Sequence, residues 1–270
     1  MTTKIAVIGL GFVGGAIYQS LRDNFIGEQS ELIAIDPAKG HNTTYDEIAD
    51  FDAVFVCVPS PQNDDGTANT SILESVLHEL YKVNYKGVII SKVTAPPNVY
   101  QRLQQVYPNL VHAPEFLTAA NAYTDYVKGR FAIIGGAVSA YRNEAERIIR
   151  LSQTGLNSVV HCSIGEAALA KYTINSFLAT KVIFMNEMEK LASSNGMDWQ
   201  KVVGAVKQDS RMGHSHMQVP GPDGQYGFGG MCFPKDTSAL LKYAEQTSNN
   251  LSVLDTAVKK NLIIRLTEPK

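Results

Sequence analysis

The stretch KIAVIGLGFVGGAIYQSL, residues 4–21, constrains the fold of this chain more than any other. A β-branched run leads through Gly9, Gly11 and Gly14 into Val13, Ile17, Tyr18 and Leu21 at helical spacing, which reads as strand, tight turn and helix. A second apolar run, ELIAID, ends in Asp36, about twenty positions after the last glycine. Together these form a dinucleotide-binding fingerprint. Gly9 permits the turn, Gly11 lets backbone approach a pyrophosphate, Gly14 lets the helix lie close on its strand, and the helix N-terminus attracts phosphate. Asp36 is placed to accept from adenosine ribose hydroxyls and would repel a 2′-phosphate, so NAD is expected rather than NADP.

The alternation continues. The apolar runs DAVFVCVP, KGVIISKV, NLVHAP and RFAIIGG are interleaved with the helical candidates SILESVLHELYKV and NVYQRLQQVY. This βαβ rhythm predicts an α/β fold, a Rossmann-type doubly wound, mainly parallel sheet over residues 1–163. Past SVVHCSIG the pattern turns helical. EAALAKYTINSFLATKVIFMNEMEKLASSNG is a long helical run that Gly196 can terminate, and WQKVVGAVKQ, KDTSALLKYAEQ and SVLDTAVKKNLIIRL follow it. Residues 164–270 are therefore expected to form an all-α domain. It is interrupted by the glycine- and proline-rich loop DSRMGHSHMQVPGPDGQYGFGG.

Charge and cysteine usage narrow the classes of function. A net charge of -2, with 19% charged residues and no basic run, argues against a nucleic-acid partner. The apolar runs are too short to span a bilayer, and MTTKIAVIG lacks the layout of a signal peptide, so no membrane association and a cytoplasmic location are expected. The odd count of 3 cysteines, Cys57, Cys162 and Cys232, points to reduced thiols rather than a disulfide framework.

Seven stretches taken in order, GLGFVG, VCVPSPQNDDGTANTSIL, SKVTAPP, HAPEFLTAANAYTD, KYTINSFLATKVIFMNE, DSRMG and GFGGMCFPKD, resemble the UDP-glucose/GDP-mannose dehydrogenase family. The resemblance covers most of the chain, to about residue 245. It implies oxidation of the C6 alcohol of a nucleotide sugar to a carboxylate with two NAD, with UDP-glucose to UDP-glucuronate the leading case. It also implies a homodimer built on the long helix, cofactor contacts at Phe12, Val13, Val58, Pro59 and Thr94, and substrate contacts at Glu115, Phe116, Leu117, Lys171, Asn175, Arg211 and Gly229. Several features depart from the family pattern. The family's further nucleotide-gripping domain would begin about where this chain stops, so a separate polypeptide supplying it is a candidate partner. The segment between Asp36 and VFVCVP is short by about a helix and a strand. Ala113 stands where the family has asparagine, and Thr118 and Ala119 where charged residues are common.

Conversion of an alcohol to an acid requires two hydride removals with the aldehyde retained between them. A cysteine thiolate can trap it as a thiohemiacetal and then as a thioester for hydrolysis. Cys232 has suitable surroundings: flexible glycines, Pro234 suited to a first helical turn, and Lys235 with a helix N-terminus to favour the thiolate; the alternative is an inert buried thiol. Lys171 and Asn175 share a helix face, Lys171 either as base or as stabiliser of an oxyanion beside the Asn175 amide. Glu115 is the candidate base for hydrolysis, with Thr94 holding the water by resemblance. Asp236 reads as catalytic or as ordinary compensation of the helix dipole. His214 and His216 read as solvated loop residues, and no metal is expected. Two further readings stand beside the first. One is a β-hydroxyacid dehydrogenase making a single hydride transfer, and the other is a non-catalytic NAD-binding subunit.

Overall fold

The computed structural model describes residues 3–25, 27 and 30–267. They divide into two compact units: the first comprises the described residues up to 61 and residues 68–171, the second residues 62–67 and 172–267. The division falls inside the long helix rather than at its start, and the short segment 62–67 goes with the second unit because Ser238 holds it, donating to the Gly66 carbonyl at 3.0 Å.

The first unit is built on an eight-stranded sheet in the order β3-β2-β1-β4-β5-β6-β7-β8. Its strands are β1 (Thr3–Ile8), β2 (Ser30–Asp36), β3 (His41–Asn42), β4 (Ala53–Val56), β5 (Val88–Ser91), β6 (Leu110–His112), β7 (Phe131–Gly135) and β8 (Ser158–Cys162). Pairing is parallel except for β2 with β3 and β6 with β7. The helices of this unit are α1 (Phe12–Asn24), α2 (Ser71–Lys82), α3 (Pro97–Val106), α4 (Ala122–Val127) and α5 (Ser139–Ser152).

Side chains alternate between two cores, as the period of a strand requires. Ile5, Val7, Phe55, Val88 and Ile90 join Ile17 and Leu21 of α1, Tyr126 of α4 and Ile148 and Ile149 of α5 on one face. Ala6, Ile8, Val54, Val56 and Ile89 join Leu73, Leu77 and Leu80 of α2 and Tyr100 and Leu103 of α3 on the other. Strands covered on both faces read as near-continuous apolar runs, which is why the sequence announced them. Each fully buried leucine or isoleucine contributes about 1.5–3 kcal/mol. Between β2 and β4 there is no α-helix, only short 3-10 turns at Pro37–Lys39 and Asp46–Ile48 around β3.

The second unit takes most of α6 (Ile164–Ser194) with α7 (Trp199–Val206), α8 (Phe233–Gln246) and α9 (Ser252–Thr267). Met185, Ala192, Trp199 and Val203 pack with Met217 and Val219, and Ala179 and Ile183 pack with Phe228, Ala257 and Ile264. The long loop before α8 is therefore a packed structure, fastened by buried polar side chains. Lys181 donates to the carbonyls of Met212 and Ser215 at 2.8 and 2.6 Å, and Asn186 accepts from Gly227 N at 2.8 Å. Asn261 accepts from Phe228 N at 2.7 Å and donates to Phe228 O at 3.0 Å.

Candidate functional site

The glycine turn has the shape of a phosphate cradle. Gly11 is the N-cap of α1, no side chain caps that end, and a Cβ there would meet nothing within 4 Å. At Gly14 a Cβ would fall 1.9 Å from the Gly9 carbonyl oxygen, so only glycine lets α1 begin this close to the turn. Uncapped N–H groups facing open space suit a pyrophosphate. Asp36, ending β2, accepts from Leu10 N at 2.7 Å, which fixes its carboxylate at the tip of the turn, and Lys39 Nζ donates to the Leu10 carbonyl. These residues fit NAD. Phe12 and Val13 lie half-buried at the head of α1, Val13 against the core; Val58 is half-buried beyond β4 and Pro59 is exposed.

Also in the first unit, Lys171 and Glu115 form a nearly sealed ion pair. Lys171 Nζ is 3.0 Å from Glu115 Oε1 and 2.5 Å from the Glu115 carbonyl, with side chains 4% and 9% exposed. The other carboxylate oxygen of Glu115 accepts from Leu117 N at 2.7 Å. Glu115 is thus held on both oxygens, not solvated. Phe116 lies 5.1 Å from Lys171 Nζ and packs on Phe131, while Leu117 packs on the core, so both shape the surroundings of the pair. Thr94 is buried just beyond β5.

This unit also buries titratable groups that the motifs did not single out. Lys92 is 6% exposed, and burial pushes its amine down to about 8. Burial pushes the Cys57 thiol up to about 12, so it stays protonated and inert at neutral pH. His112 stacks on Tyr100 at 4.2 Å with Nδ1 against the Ser91 carbonyl at 3.1 Å; burial pushes it down to about 3, so the ring is neutral.

The second unit gathers Asn175, Asp236, Lys235 and Cys232. Asp236 is 1% exposed. It accepts from Asn175 Nδ2 at 2.6 Å and pairs with Lys235 Nζ at 2.5 Å. A carboxylate only accepts, so it fixes which way the Asn175 amide faces. Asp236 is therefore a buried anchor, and compensation of the helix dipole alone does not describe it. Cys232 is the half-buried N-cap of α8, with Pro234 in the first turn. Cys162, ending β8, is also half-buried, and burial raises its thiol.

Other expected residues stand apart. Arg211 is exposed and turns back on Asp209, its Nη2 2.5 Å from the carboxylate. Gly229 leaves room for the Arg265 guanidinium, which a Cβ would approach to 2.7 Å. His214 is exposed, but His216 is not the solvated residue expected. Its ring packs 5.4 Å from that of Phe233, and its Nδ1 is buried without a hydrogen bond, because Lys181 draws the surrounding loop inward. Among the described residues no group of His, Cys, Asp and Glu is placed to hold a metal ion, and no helix is long and apolar enough to cross a membrane.

Two sequence models of one family match the chain: the UDP-glucose/GDP-mannose dehydrogenase family NAD binding domain over residues 38–152, and its central domain over residues 165–262. A UDP-glucose 6-dehydrogenase of Bacillus subtilis (strain 168) is 29% identical over 96% of this chain and 66% of its own length. One from Rickettsia conorii is 30% identical over 91% of this chain and 56% of its own. The chain thus spans between about half and two thirds of these relatives. Among solved structures, a UDP-glucose dehydrogenase from Pyrobaculum islandicum superposes with a TM-score of 0.80 at 24% identity, covering 97% of this chain and 68% of that one. A Mycobacterium tuberculosis 3-hydroxyisobutyrate dehydrogenase has a TM-score of 0.74 at 17% identity, covering 96% and 92%. At such identities the superpositions speak for the fold.

Proposed function

The chain belongs to the UDP-glucose/GDP-mannose dehydrogenase family, and from that premise we propose that it is an NAD-dependent nucleotide-sugar 6-dehydrogenase, acting first on UDP-glucose. The overall change is alcohol, two NAD and water to carboxylate, two NADH and protons. The observation that carries the reading is Cys232 as N-cap of α8, one turn before a sealed Asp236 that holds Asn175 and Lys235.

Bound NAD supplies the hydride acceptor for each oxidation. The Gly9–Gly14 turn and the N-terminus of α1 would hold its pyrophosphate, and Asp36 would take its adenosine ribose. The C6 hydroxyl gives its proton to Glu115, which passes it to solvent before the later steps, and the Lys171 ammonium with the Asn175 amide supports the oxyanion that develops. The Cys232 sulfur then bonds to the aldehyde carbon, and loss of the second hydride leaves a thioester. A water that loses its proton to Glu115 attacks that carbon, the C–S bond breaks, and the thiolate returns.

The protein acts as a homodimer. Phe177, Phe184 and Leu191 recur at heptad spacing along α6 and are 66%, 50% and 57% exposed, an apolar stripe suited to a second copy of the same helix. The use of NAD and the absence of disulfides among the described cysteines support a cytoplasmic location.

The test is purified protein with NAD and a panel of UDP- and GDP-sugars, following NADH and acid together. Two NADH per acid formed are expected, with acid formation lost in Cys232→Ser; undiminished acid from that variant refutes the assignment. A single-hydride β-hydroxyacid dehydrogenase is the second reading, on a fold that superposes on 92% of the 3-hydroxyisobutyrate dehydrogenase. It predicts one NADH per turnover on a 3-hydroxyacid and indifference to Cys232→Ser.

A further inference from the structure

Strand β5 ends at Ser91, and the turn that follows carries the buried Thr94. Tyr100 of α3 is fully buried in the same core as Val93. Its hydroxyl lies 2.5 Å from the Val93 carbonyl and 2.7 Å from Ser91 Oγ. Counting protons fixes the direction of each bond. A carbonyl only accepts, so the one phenolic proton goes to Val93 O, and Ser91 Oγ must donate to the phenol. Ser91 Oγ in turn accepts from Val93 N at 3.3 Å. The Ser91 carbonyl accepts from Ala113 N at 2.9 Å and from His112 Nδ1 at 3.1 Å, which fixes the ring stacked on Tyr100. Among the described residues the Val93 carbonyl has no hydrogen bond besides the one from Tyr100.

That carbonyl belongs to the peptide group joining Val93 to Thr94. The group is planar, so a donor on its oxygen sets the orientation of the Thr94 N–Cα bond as well. We propose that Tyr100 is the positioning residue for Thr94: its hydroxyl holds the peptide plane from which Thr94 projects, and so sets where the Thr94 hydroxyl meets the water that hydrolyses the thioester. The work given to Thr94 rests on the reading above; the anchoring of the turn does not. Tyr100→Phe removes the hydroxyl alone. It keeps the ring and its stacking on His112, and leaves a buried carbonyl without a donor.

Two measurements separate anchoring from turnover. In amide hydrogen exchange of the ligand-free protein, Val93 and Thr94 are expected to exchange at least about tenfold faster in Tyr100→Phe than in wild type. Unchanged exchange, or acceleration spread over the whole first unit, overturns the proposal. With NAD and UDP-glucose, kcat of the variant is expected to fall about ten- to a hundredfold at unchanged NAD affinity. Two NADH per active site should appear quickly before that slow steady state, because the thioester forms and then waits for its water. In a Thr94→Val background Tyr100→Phe should lower kcat no further, since the group it positions is gone. Losses that multiply assign Tyr100 to the fold alone and overturn the positioning role. Faster exchange without turnover on any nucleotide sugar would instead refute the dehydrogenase reading and leave the anchoring standing.

Discussion

Replacing Lys92 with methionine should stabilise the folded protein at neutral pH and do so less as the pH rises. Burial lowers the Lys92 amine from 10.5 to about 8. That difference corresponds to about 3 kcal/mol, at ~1.4 kcal/mol per unit. The folded pKa lies below the unfolded one, so between about pH 8 and 10.5 the unfolded chain binds more protons and wild-type stability rises with pH. Below that window both states hold the proton and the folded state carries the whole penalty; above it neither does. Methionine keeps the length and the apolar stem and has no proton to lose. The gain in Lys92→Met should therefore be about 3 kcal/mol at pH 7, falling to about 1 kcal/mol at pH 10, beside a packing contribution that does not vary with pH. Urea unfolding of both proteins at several pH values gives the difference directly, and all other titrating groups cancel in it. A gap that stays constant over that range, or a variant less stable at pH 7 than at pH 10 relative to wild type, refutes the reasoning.

Gly14→Ala would place a Cβ 1.9 Å from the Gly9 carbonyl oxygen, so α1 must move. The expected effects are about 1–3 kcal/mol of stability and loss of NAD binding, read by thermal unfolding with and without cofactor. Asn175→Asp would set a second carboxyl 2.6 Å from the sealed Asp236. One of the two must then take up a proton, so this variant should regain stability relative to wild type as the pH falls, and a pH-independent difference would contradict the geometry. Phe184→Lys puts a charge in the middle of the exposed α6 stripe and should convert a dimer to a monomer by sedimentation, with the monomer still folded.

The elements most legible in the sequence are those buried on both faces. In β4, and over Ile5–Ile8 of β1 and Val88–Ile90 of β5, each side chain enters one core or the other, so these runs are apolar throughout. Helix α5 does not stand out in the sequence. Its buried Ala145, Ile148, Ile149 and Ser152 keep the helical spacing, but Arg142, Glu144, Glu146, Arg147 and Arg150 crowd the same stretch and dilute it. Neither α4 nor the two-residue β3 is long enough to show a period. The shortened crossover after Asp36 was visible as a length, and the structure accounts for it by two 3-10 turns in place of a helix.

The candidate site was legible as residues and not as relations. Glu115 and Lys171 are 56 positions apart, Asn175 and Asp236 61, and nothing in either local stretch says which carboxyl meets which donor. The same limit applies to His216, whose loop looks polar and mobile until Lys181, Asn186 and Asn261 are seen to fasten it. Lys92 is different, because its signal was present: a lysine occupies the inward position that Val88 and Ile90 occupy before it. Placed there, it must be neutral, paired, or held at a free-energy cost, and the structure sets its Nζ 5.9 Å from the Tyr126 ring with no ion pair among the described residues. A charge that breaks a buried alternation is thus the one kind of site residue that sequence can flag without a motif, since the anomaly lies in the fold's own period. What it does depends on the groups around it, and those only the tertiary structure supplies.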